Sequence, residues 1–178
     1  MKALIIIDML NDFVTGSLKC ERAQRIIPNI RRLIDAAHKA GVPVIFANDS
    51  HLPNDFEMAR WGPHALTGSK GAQVIPELTP TDKDLVIDKH AYSSFFETPL
   101  DSTLRIRKVD TVILTGLHTH LCVRHTAADA FFRGYKILIP ENCVDSFTEE
   151  DHKSGLAYLK EYYAATITTA EALVKELR

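Results

Sequence analysis

One cysteine, Cys122, stands at a position that suits nucleophilic chemistry. The apolar run at residues 111–115 predicts a buried strand, Gly116 ends that run, and helical spacing begins at about Leu121. A cysteine at the amino end of a helix meets unpaired amide hydrogens and the positive end of the helix dipole, and both favour a thiolate. Cys122 is therefore a candidate nucleophile. The alternative is a small buried hydrophobe, which is the commoner state of a cysteine.

Two charged residues follow other apolar runs. Asp8 ends the run at residues 3–7, and Lys89 follows the run at residues 84–88. If these runs are parallel strands, their carboxyl ends share one edge of a sheet with Cys122. A carboxylate near a thiol can take its proton, and an ammonium group stabilises the thiolate and keeps the carboxylate ionised. Taken singly, an aspartate is as readily a loop cap and a lysine a solvated charge.

The elements that would position these residues alternate between short apolar runs and segments of helical spacing. This alternation predicts a parallel sheet with helices on both faces. Because crossovers between parallel strands are right-handed, we expect an α/β, Rossmann-like doubly wound fold with a mostly parallel six-stranded sheet. We predict strands at residues 3–7, 42–47, 84–88, 111–115, 135–139 and 165–167, and helices at 21–40, 99–107, 121–133, 148–163 and from 168 onward.

Length and composition are typical of one globular domain spanning residues 1–178. The net charge of −2 gives no basic surface for nucleic acid and no polybasic patch for a membrane. No apolar run reaches the length of a membrane span, and the first residues lack the layout of a signal peptide. The three cysteines are too far apart in sequence to indicate a disulfide framework, so we expect a cytoplasmic protein.

Three motifs cover nearly the whole chain in a fixed order. They are DMLNDF at 8–13, KHAYSSFFETPL at 89–100 and GLHTHLCV at 116–123. They resemble the motifs D-x-Q-x-D-F, K-x-x-Y-S-x-F-x-x-T-x-L and G-x-x-T-x-x-C-V of the isochorismatase-like cysteine hydrolases. Within that superfamily the chain is most similar to nicotinamidases and N-carbamoylsarcosine amidases.

The resemblance implies a catalytic triad of Asp8, Lys89 and Cys122. It also implies a cis peptide at Leu117–His118, which would aim the amide hydrogens of His118 and Cys122 at one oxyanion. The implied activity is hydrolysis of a small carboxamide to an acid and ammonia through a thioester, in a homo-oligomer. One alternative is an isochorismatase-type vinyl-ether hydrolase. A second alternative is a non-catalytic Rossmann-like binding module, although Gly116 is not part of a G-x-G-x-x-G turn.

A long irregular segment at 48–72 carries a possible metal site. Asp49, His51 and His64 resemble the D-x-H and W-x-x-H ligand motifs of nicotinamidases, and Glu57 resembles their fourth ligand. Two imidazoles and carboxylates suit Zn²⁺, or Fe²⁺ or Mn²⁺ with added waters, and we expect no organic cofactor. An alternative set of dense metal-ligating residues is His118, His120, Cys122 and His125.

Apolar side chains near the same sheet edge would form the substrate pocket. Aromatic residues more often belong to a core than to a binding site, but in loops beside a triad they can line a slot for a small planar amide. We predict that the pocket is lined by Phe13, Trp61, Tyr92 and Leu117.

Overall fold

Seven strands form one parallel sheet in the computed structural model, which describes residues 1–177. The strands are β1 (Lys2–Ile7), β2 (Val44–Asp49), β3 (Leu85–Lys89), β4 (Thr111–Leu117), β5 (Lys136–Pro140), β6 (Val144–Asp145) and β7 (Thr166–Thr168). Six of them lie in the order β3-β2-β1-β4-β5-β7, β6 pairs with β4, and every pairing is parallel. The predicted doubly wound α/β fold is confirmed.

The sequence predicts six strands, and the structure has a seventh, the short strand β6. This strand has two residues, and Val144 and Asp145 pair with Gly116 and Leu117 of β4. Two residues cannot show an alternating hydrophobic pattern, so no period-2 signal marks this strand in the sequence.

Helices cover both faces of the sheet. They are α1 (Asn11–Val14), α2 (Ile27–Ala40), α3 (Phe56–Trp61), α4 (Leu100–Ile106), α5 (Cys122–Phe132), α6 (Glu149–Tyr162) and α7 (Ala170–Glu176). Successive strand residues point to opposite faces, so Leu4 and Ile6 pack with α2 and α7, whereas Ile5 and Ile7 pack with α4, α5 and α6. Within residues 1–177, no helix is both long enough and apolar enough to cross a membrane.

Some helices differ from the sequence expectation. The helix predicted at 21–40 is divided into a 3₁₀ turn, Glu21–Arg25, and α2. Pro28 lies in the first turn of α2, where its missing N–H costs no intrahelical hydrogen bond. Helices α1 and α3 arise in segments without clear periodicity, because four and six residues are too few to show it.

The strand order places a crevice at the carboxyl ends of β1 and β4. The chain leaves β1 in one direction and β4 in the other, and ligands bind at such a reversal point in doubly wound folds. Gly116 pairs with Ile7 here, and the two strands are so close that a Cβ at Gly116 would overlap the Ile7 carbonyl. Asp8 follows β1 with a φ of +53°, a left-handed conformation that aspartate adopts more readily than most residues.

Candidate active site

Parallel pairing brings a lysine and two aspartates together at the end of the sheet. Asp49 and Lys89 are register partners at the ends of β2 and β3, and Asp8 follows the adjacent β1. The Lys89 Nζ lies 2.9 Å from Asp8 Oδ2, contacts Asp49 Oδ1, and donates a hydrogen bond of 3.1 Å to the Ala91 carbonyl. All three charged side chains are fully or almost fully buried. One ammonium group therefore contacts two carboxylates that water does not reach.

Cys122 is the first residue of α5, and its thiol faces this cluster. Its Sγ and one carboxylate oxygen each of Asp8 and Asp49 lie within 4.8 Å of one another. Burial raises the pKa of the Cys122 thiol well above its usual value, and the opposing attraction of Lys89 does not compensate. Burial therefore favours the neutral thiol, which needs a base to take its proton.

The neighbouring charges shift the pKa values of the two aspartates in opposite directions. Burial raises the pKa of Asp8 to about 6, and Asp49 adds to the shift while Lys89 opposes it. Burial acts in the same direction on Asp49, but attraction to Lys89 and His51 outweighs it and lowers the pKa of that carboxyl. The pKa of Lys89 is raised well above its usual value, because Asp49 and Asp8 outweigh the burial that opposes the charge. Asp8 is thus the carboxyl better suited to accept and return a proton near neutral pH.

The turn before Cys122 leaves two amide hydrogens free. The Leu117–His118 peptide is cis, as the resemblance implied. Within residues 1–177, the amides of His118 and Cys122 donate to no acceptor, whereas the next amide of the turn, Thr119 N–H, donates to the Asp145 carbonyl. Two free backbone donors beside a thiol are what an oxyanion requires.

Four possible metal ligands meet beside this cluster. One ligand atom from each of Asp49, His51, Glu57 and His64 lies within 4.8 Å of the others. The His51 Nε2 is 3.5 Å from Asp49 Oδ2 and 3.7 Å from Glu57 Oε2, and the two imidazole rings are 4.8 Å apart. The four residues that the resemblance implied are therefore adjacent in space.

The hydrogen bonds of the two histidines match those of metal ligands. The Nδ1 of His51 lies 3.0 Å from Asp55 Oδ2, and the Nδ1 of His64 lies 2.7 Å from the Gly62 carbonyl. With Nδ1 protonated, each Nε2 keeps a lone pair, which is the usual arrangement of a ligating imidazole. The Nε2 of His51 is buried and has no hydrogen-bond partner among residues 1–177. The donor set and this unpaired atom fit a divalent cation.

The charges of the cluster also favour a cation. Burial raises the pKa of Glu57 to about 7, and repulsion from Asp49 adds to this shift. Burial opposes protonation of His51, but Asp49, Asp55 and Glu57 outweigh it and raise its pKa to about 9. A positive charge placed among these groups would relieve the repulsion between the carboxylates.

The alternative set of His118, His120, Cys122 and His125 is not brought together. Among residues 1–177, these four side chains form no group of metal-ligating atoms. The His120 Nδ1 lies 2.9 Å from Ser146 Oγ, and the His125 Nδ1 lies 2.9 Å from the Leu121 carbonyl. The start of α5 turns the side chains in different directions, so this alternative is not supported.

A small cavity opens beside Cys122 and the metal-ligand cluster. Phe13, Trp61 and Tyr92 line it, in agreement with the sequence analysis. Leu117 does not line it, because this last residue of β4 is fully buried and packs in the core on the α2 side of the sheet. Further lining side chains that the sequence analysis missed are those of Leu18, Leu121 and Phe147.

Two supporting aspartates were also not assigned roles from the sequence. Asp12 accepts a hydrogen bond of 2.8 Å from the amide of Ala65, the residue after His64, and so connects α1 to that loop. Asp55 accepts from the Leu52 amide at 2.9 Å and contacts the rings of His51 and His90. The only indication of this role in the sequence is that Asp55 follows His51 by four residues, a spacing at which two side chains can contact each other.

Comparisons with known proteins agree with this geometry. An isochorismatase domain model matches residues 2–171. The N-carbamoylsarcosine amidase of Thermoplasma acidophilum is 40% identical, covers 96% of each chain and has a TM-score of 0.90. The nicotinamidase PncA of Bacillus subtilis is 36% identical over 94% of this chain and 98% of its own, with a TM-score of 0.89. The pyrazinamidase of Pyrococcus horikoshii, solved in complex with zinc, is 27% identical over 94% of this chain and 98% of its own, with a TM-score of 0.87. The chain therefore belongs to the isochorismatase family.

Proposed function

We propose that the chain is a cysteine-dependent amidohydrolase that cleaves a small carboxamide to an acid and ammonia. The observation that carries this proposal is the buried group of Asp8, Lys89 and Cys122 beside two free amide hydrogens. A nucleophile, a base and an oxyanion site are the three requirements of acyl transfer. The amidase and the nicotinamidase that resemble this chain support the same reaction class.

In the first half-reaction, Asp8 takes the proton of Cys122 while Sγ attacks the carboxamide carbon. The pKa of Asp8, raised to about 6, makes it a stronger base than an exposed aspartate. The negative oxygen of the tetrahedral intermediate accepts hydrogen bonds from the amides of His118 and Cys122. When the carbon–nitrogen bond breaks, Asp8 returns the proton to the leaving nitrogen, and ammonia departs.

In the second half-reaction, a water molecule gives a proton to Asp8 and attacks the thioester. The carbon–sulfur bond breaks, the acid is released, and the proton on Asp8 returns to the Cys122 sulfur. Lys89 keeps Asp8 and Asp49 in their buried positions and favours the ionised carboxylate through both half-reactions. Atoms and charges balance without a further reactant.

We also propose that Asp49, His51, Glu57 and His64 hold a divalent cation, most simply Zn²⁺. When bound, such an ion supplies a positive charge and a coordination position for a substrate heteroatom or a water molecule. The pyrazinamidase solved with zinc supports this assignment. The covalent chemistry is assigned to Cys122 of this chain and not to the ion.

Replacing the nucleophile tests the proposed function. We expect the wild-type protein to release ammonia from a member of a panel containing nicotinamide, pyrazinamide and N-carbamoylsarcosine. Cys122→Ala is expected to lower kcat by about 10⁴-fold or more, because the covalent route is lost. Mass spectrometry during turnover should find an acyl adduct on Cys122.

Cys143→Ala, which changes a buried cysteine in the core, is the matched control and should retain ammonia release. Near wild-type activity of Cys122→Ala would reject the proposal.

Vinyl-ether hydrolysis is the second candidate, because the matching family model is that of an isochorismatase domain. That reaction protonates an enol ether and does not need a thiol nucleophile. A vinyl-ether substrate that is hydrolysed equally by the wild-type protein and by Cys122→Ala, with no ammonia from any amide, would favour this candidate.

The metal assignment predicts a role for Asp55. Asp55→Asn is expected to weaken binding of Zn²⁺ to the metal-free protein by about 10-fold or more, because the carboxylate that orients His51 is lost. Calorimetric titration with zinc alone measures this change. His90→Ala is the matched control, since His90 contacts the same Asp55 oxygen, is half exposed and is outside the ligand set. Equal zinc affinity of Asp55→Asn and the wild-type protein would contradict the prediction.

A further inference from the structure

The turn that carries the two free amides packs on the segment at residues 145–155, which runs from β6 into α6. The ring of His118 stacks on Phe147 at 4.1 Å between ring centroids, and the His120 Nδ1 lies 2.9 Å from Ser146 Oγ. The position of this segment therefore affects the direction in which the free amide hydrogens point.

Thr119, inside this turn, contacts the segment with its backbone, its hydroxyl and its methyl group. Its N–H donates a hydrogen bond of 2.9 Å to the Asp145 carbonyl, and its hydroxyl lies 2.9 Å from His152 Nδ1. Its methyl group packs against Gly155, where an added Cβ would be only 3.0 Å away. Thr119 is fully buried. Three separate contacts thus fix a residue that lies between the two free amides in the sequence.

Two arginines anchor the start of the segment. The buried carboxylate of Asp145 accepts hydrogen bonds from Arg22 Nε at 2.8 Å and from Arg25 Nη2 at 2.9 Å. Arg22 also contacts Glu149 in the first turn of α6. Charge-assisted hydrogen bonds of this kind are stronger than neutral ones. Because the segment is anchored, a side chain of α6 can hold the turn in one orientation.

The histidine of α6 that meets the turn is uncharged and does not face the cavity. Burial lowers the pKa of His152, and the opposing attraction of Asp145 does not compensate, so the ring is neutral at neutral pH. A neutral imidazole can accept a hydrogen bond from a hydroxyl or donate one to it. Among residues 1–177, those that line the cavity beside Cys122 include neither His152 nor Thr119. Neither side chain can therefore act by touching a bound substrate.

We propose that His152 and Thr119 are positioning residues, whose hydrogen bond aims the free amides of the turn at the oxyanion. This inference rests on the proposed function, because the aim of the amides affects a rate only if a tetrahedral intermediate forms. An interaction that strengthens as negative charge develops on the carbonyl oxygen acts on the transition state and not on substrate binding. Loss of the hydrogen bond should therefore lower kcat and leave KM unchanged.

Substitutions on both sides of the hydrogen bond test the assignment. Thr119→Val keeps the methyl contact with Gly155 and removes the hydroxyl, and His152→Leu removes the ring nitrogen. Each is expected to lower kcat by about 10–100-fold for an amide that the wild-type protein hydrolyses, with KM within about twofold. The double variant should lose little more than either single variant, because both changes remove the same hydrogen bond.

His152→Asn is the conservative variant. Asparagine is uncharged and carries a polar atom on Cγ, where histidine carries Nδ1, so most of the lost kcat should return. Thr169→Val is the matched control for a lost threonine hydroxyl. Thr169 caps α7, so this variant should melt at a lower temperature while kcat stays at the wild-type value. Melting curves of all variants show which are folded at the assay temperature.

Labelling of Cys122 separates the oxyanion site from the nucleophile. Methyl methanethiosulfonate reacts with a thiolate and forms no oxyanion from a carbonyl group. The labelling rate in Thr119→Val and His152→Leu is therefore expected to stay within about twofold of the wild-type rate. Mass spectrometry assigns the label to Cys122.

Hydrogen exchange of the Thr119 amide, followed by NMR, monitors the turn without any substrate. This amide donates to the Asp145 carbonyl, and its exchange should become about 10-fold faster or more in His152→Leu. In His152→Asn the exchange rate should stay close to that of the wild-type protein.

Four results would overturn the assignment: full kcat in the folded Thr119→Val and His152→Leu variants, a rise in KM in place of the fall in kcat, labelling that slows as much as hydrolysis, or no recovery in His152→Asn. Full kcat together with ammonia release by the wild-type protein would reject the positioning role alone. If no amide yields ammonia but exchange is faster in His152→Leu, the proposed amidase is rejected and His152 still holds the turn.

Discussion

Lys89→Met is expected to destabilise the protein by about 3–5 kcal/mol, the usual cost of removing one partner from a buried ion pair. Methionine fills similar space but leaves Asp8 and Asp49 buried without the ammonium group that contacts both. Hydrolysis should also be lost, because the pKa of Asp8 would rise further and the carboxyl could no longer act as an ionised base. Urea unfolding after treatment with a chelator measures the stability without a contribution from a bound cation.

Lys2→Met is the matched control. Lys2 is the first residue of strand β1, and its ion pair with Glu176, at 2.8 Å, is partly exposed to solvent. Its loss should cost less than about 1 kcal/mol. Adding Asp8→Asn to Lys89→Met should cost less than the sum of the two single changes, since the two side chains interact directly. If Lys89→Met unfolds at the same urea concentration as Lys2→Met, the buried ion pairs do not stabilise the fold as described.

Gly116→Ala is the second substitution with a large expected effect, a loss of about 4 kcal/mol or more in the free energy of unfolding. The φ of Gly116 is +98°, and its Cβ would overlap the carbonyl of Ile7 on the adjacent β1. Strands β1 and β4 would have to separate where they carry Asp8 and the turn before Cys122. Any folded variant is therefore expected to lose most of its activity, and thermal melting with an ammonia assay would measure both effects.

Gly134→Ala separates the clash from the backbone conformation. Gly134 also has a positive φ, +79°, but nothing lies within 4 Å of its Cβ position. Only the left-handed conformation of an alanine should matter here, at about 1–2 kcal/mol. Equal losses for the two glycine variants would show that the approach of β1 and β4 has no energetic role.

The sequence was sufficient for the parts of the molecule that depend on hydrophobic pattern and strand order. The apolar runs ending at Asp8 and Lys89 predict buried parallel strands, and parallel strands bring their carboxyl ends to one edge. Asp8, Lys89 and Cys122 are therefore expected on a common edge from the order of the strands alone. The family motifs added the metal residues and the cis peptide, which no pattern of hydrophobicity contains.

Other features depend on tertiary contacts that leave no local signal. Phe147 reaches the cavity because the two-residue strand β6 turns the chain toward α6, and such a strand has no periodicity. Leu117 is adjacent in sequence to His118, yet it lies on the core side of β4. The raised pKa of Cys122 also depends on burial by elements that are distant in sequence, which no local pattern shows.

Helix α3 has a consequence for mutational tolerance. None of its six residues is buried, yet it provides Glu57 and Trp61 to the cavity wall. Because the hydrophobic core does not depend on α3, substitutions in this segment should destabilise the fold far less than changes in β1 or β4. New substrate preferences can therefore be selected by varying one peripheral segment while the catalytic strands stay unchanged. A cassette library at residue 56 and residues 58–61, with the proposed metal ligand Glu57 kept, is the direct way to redesign this protein.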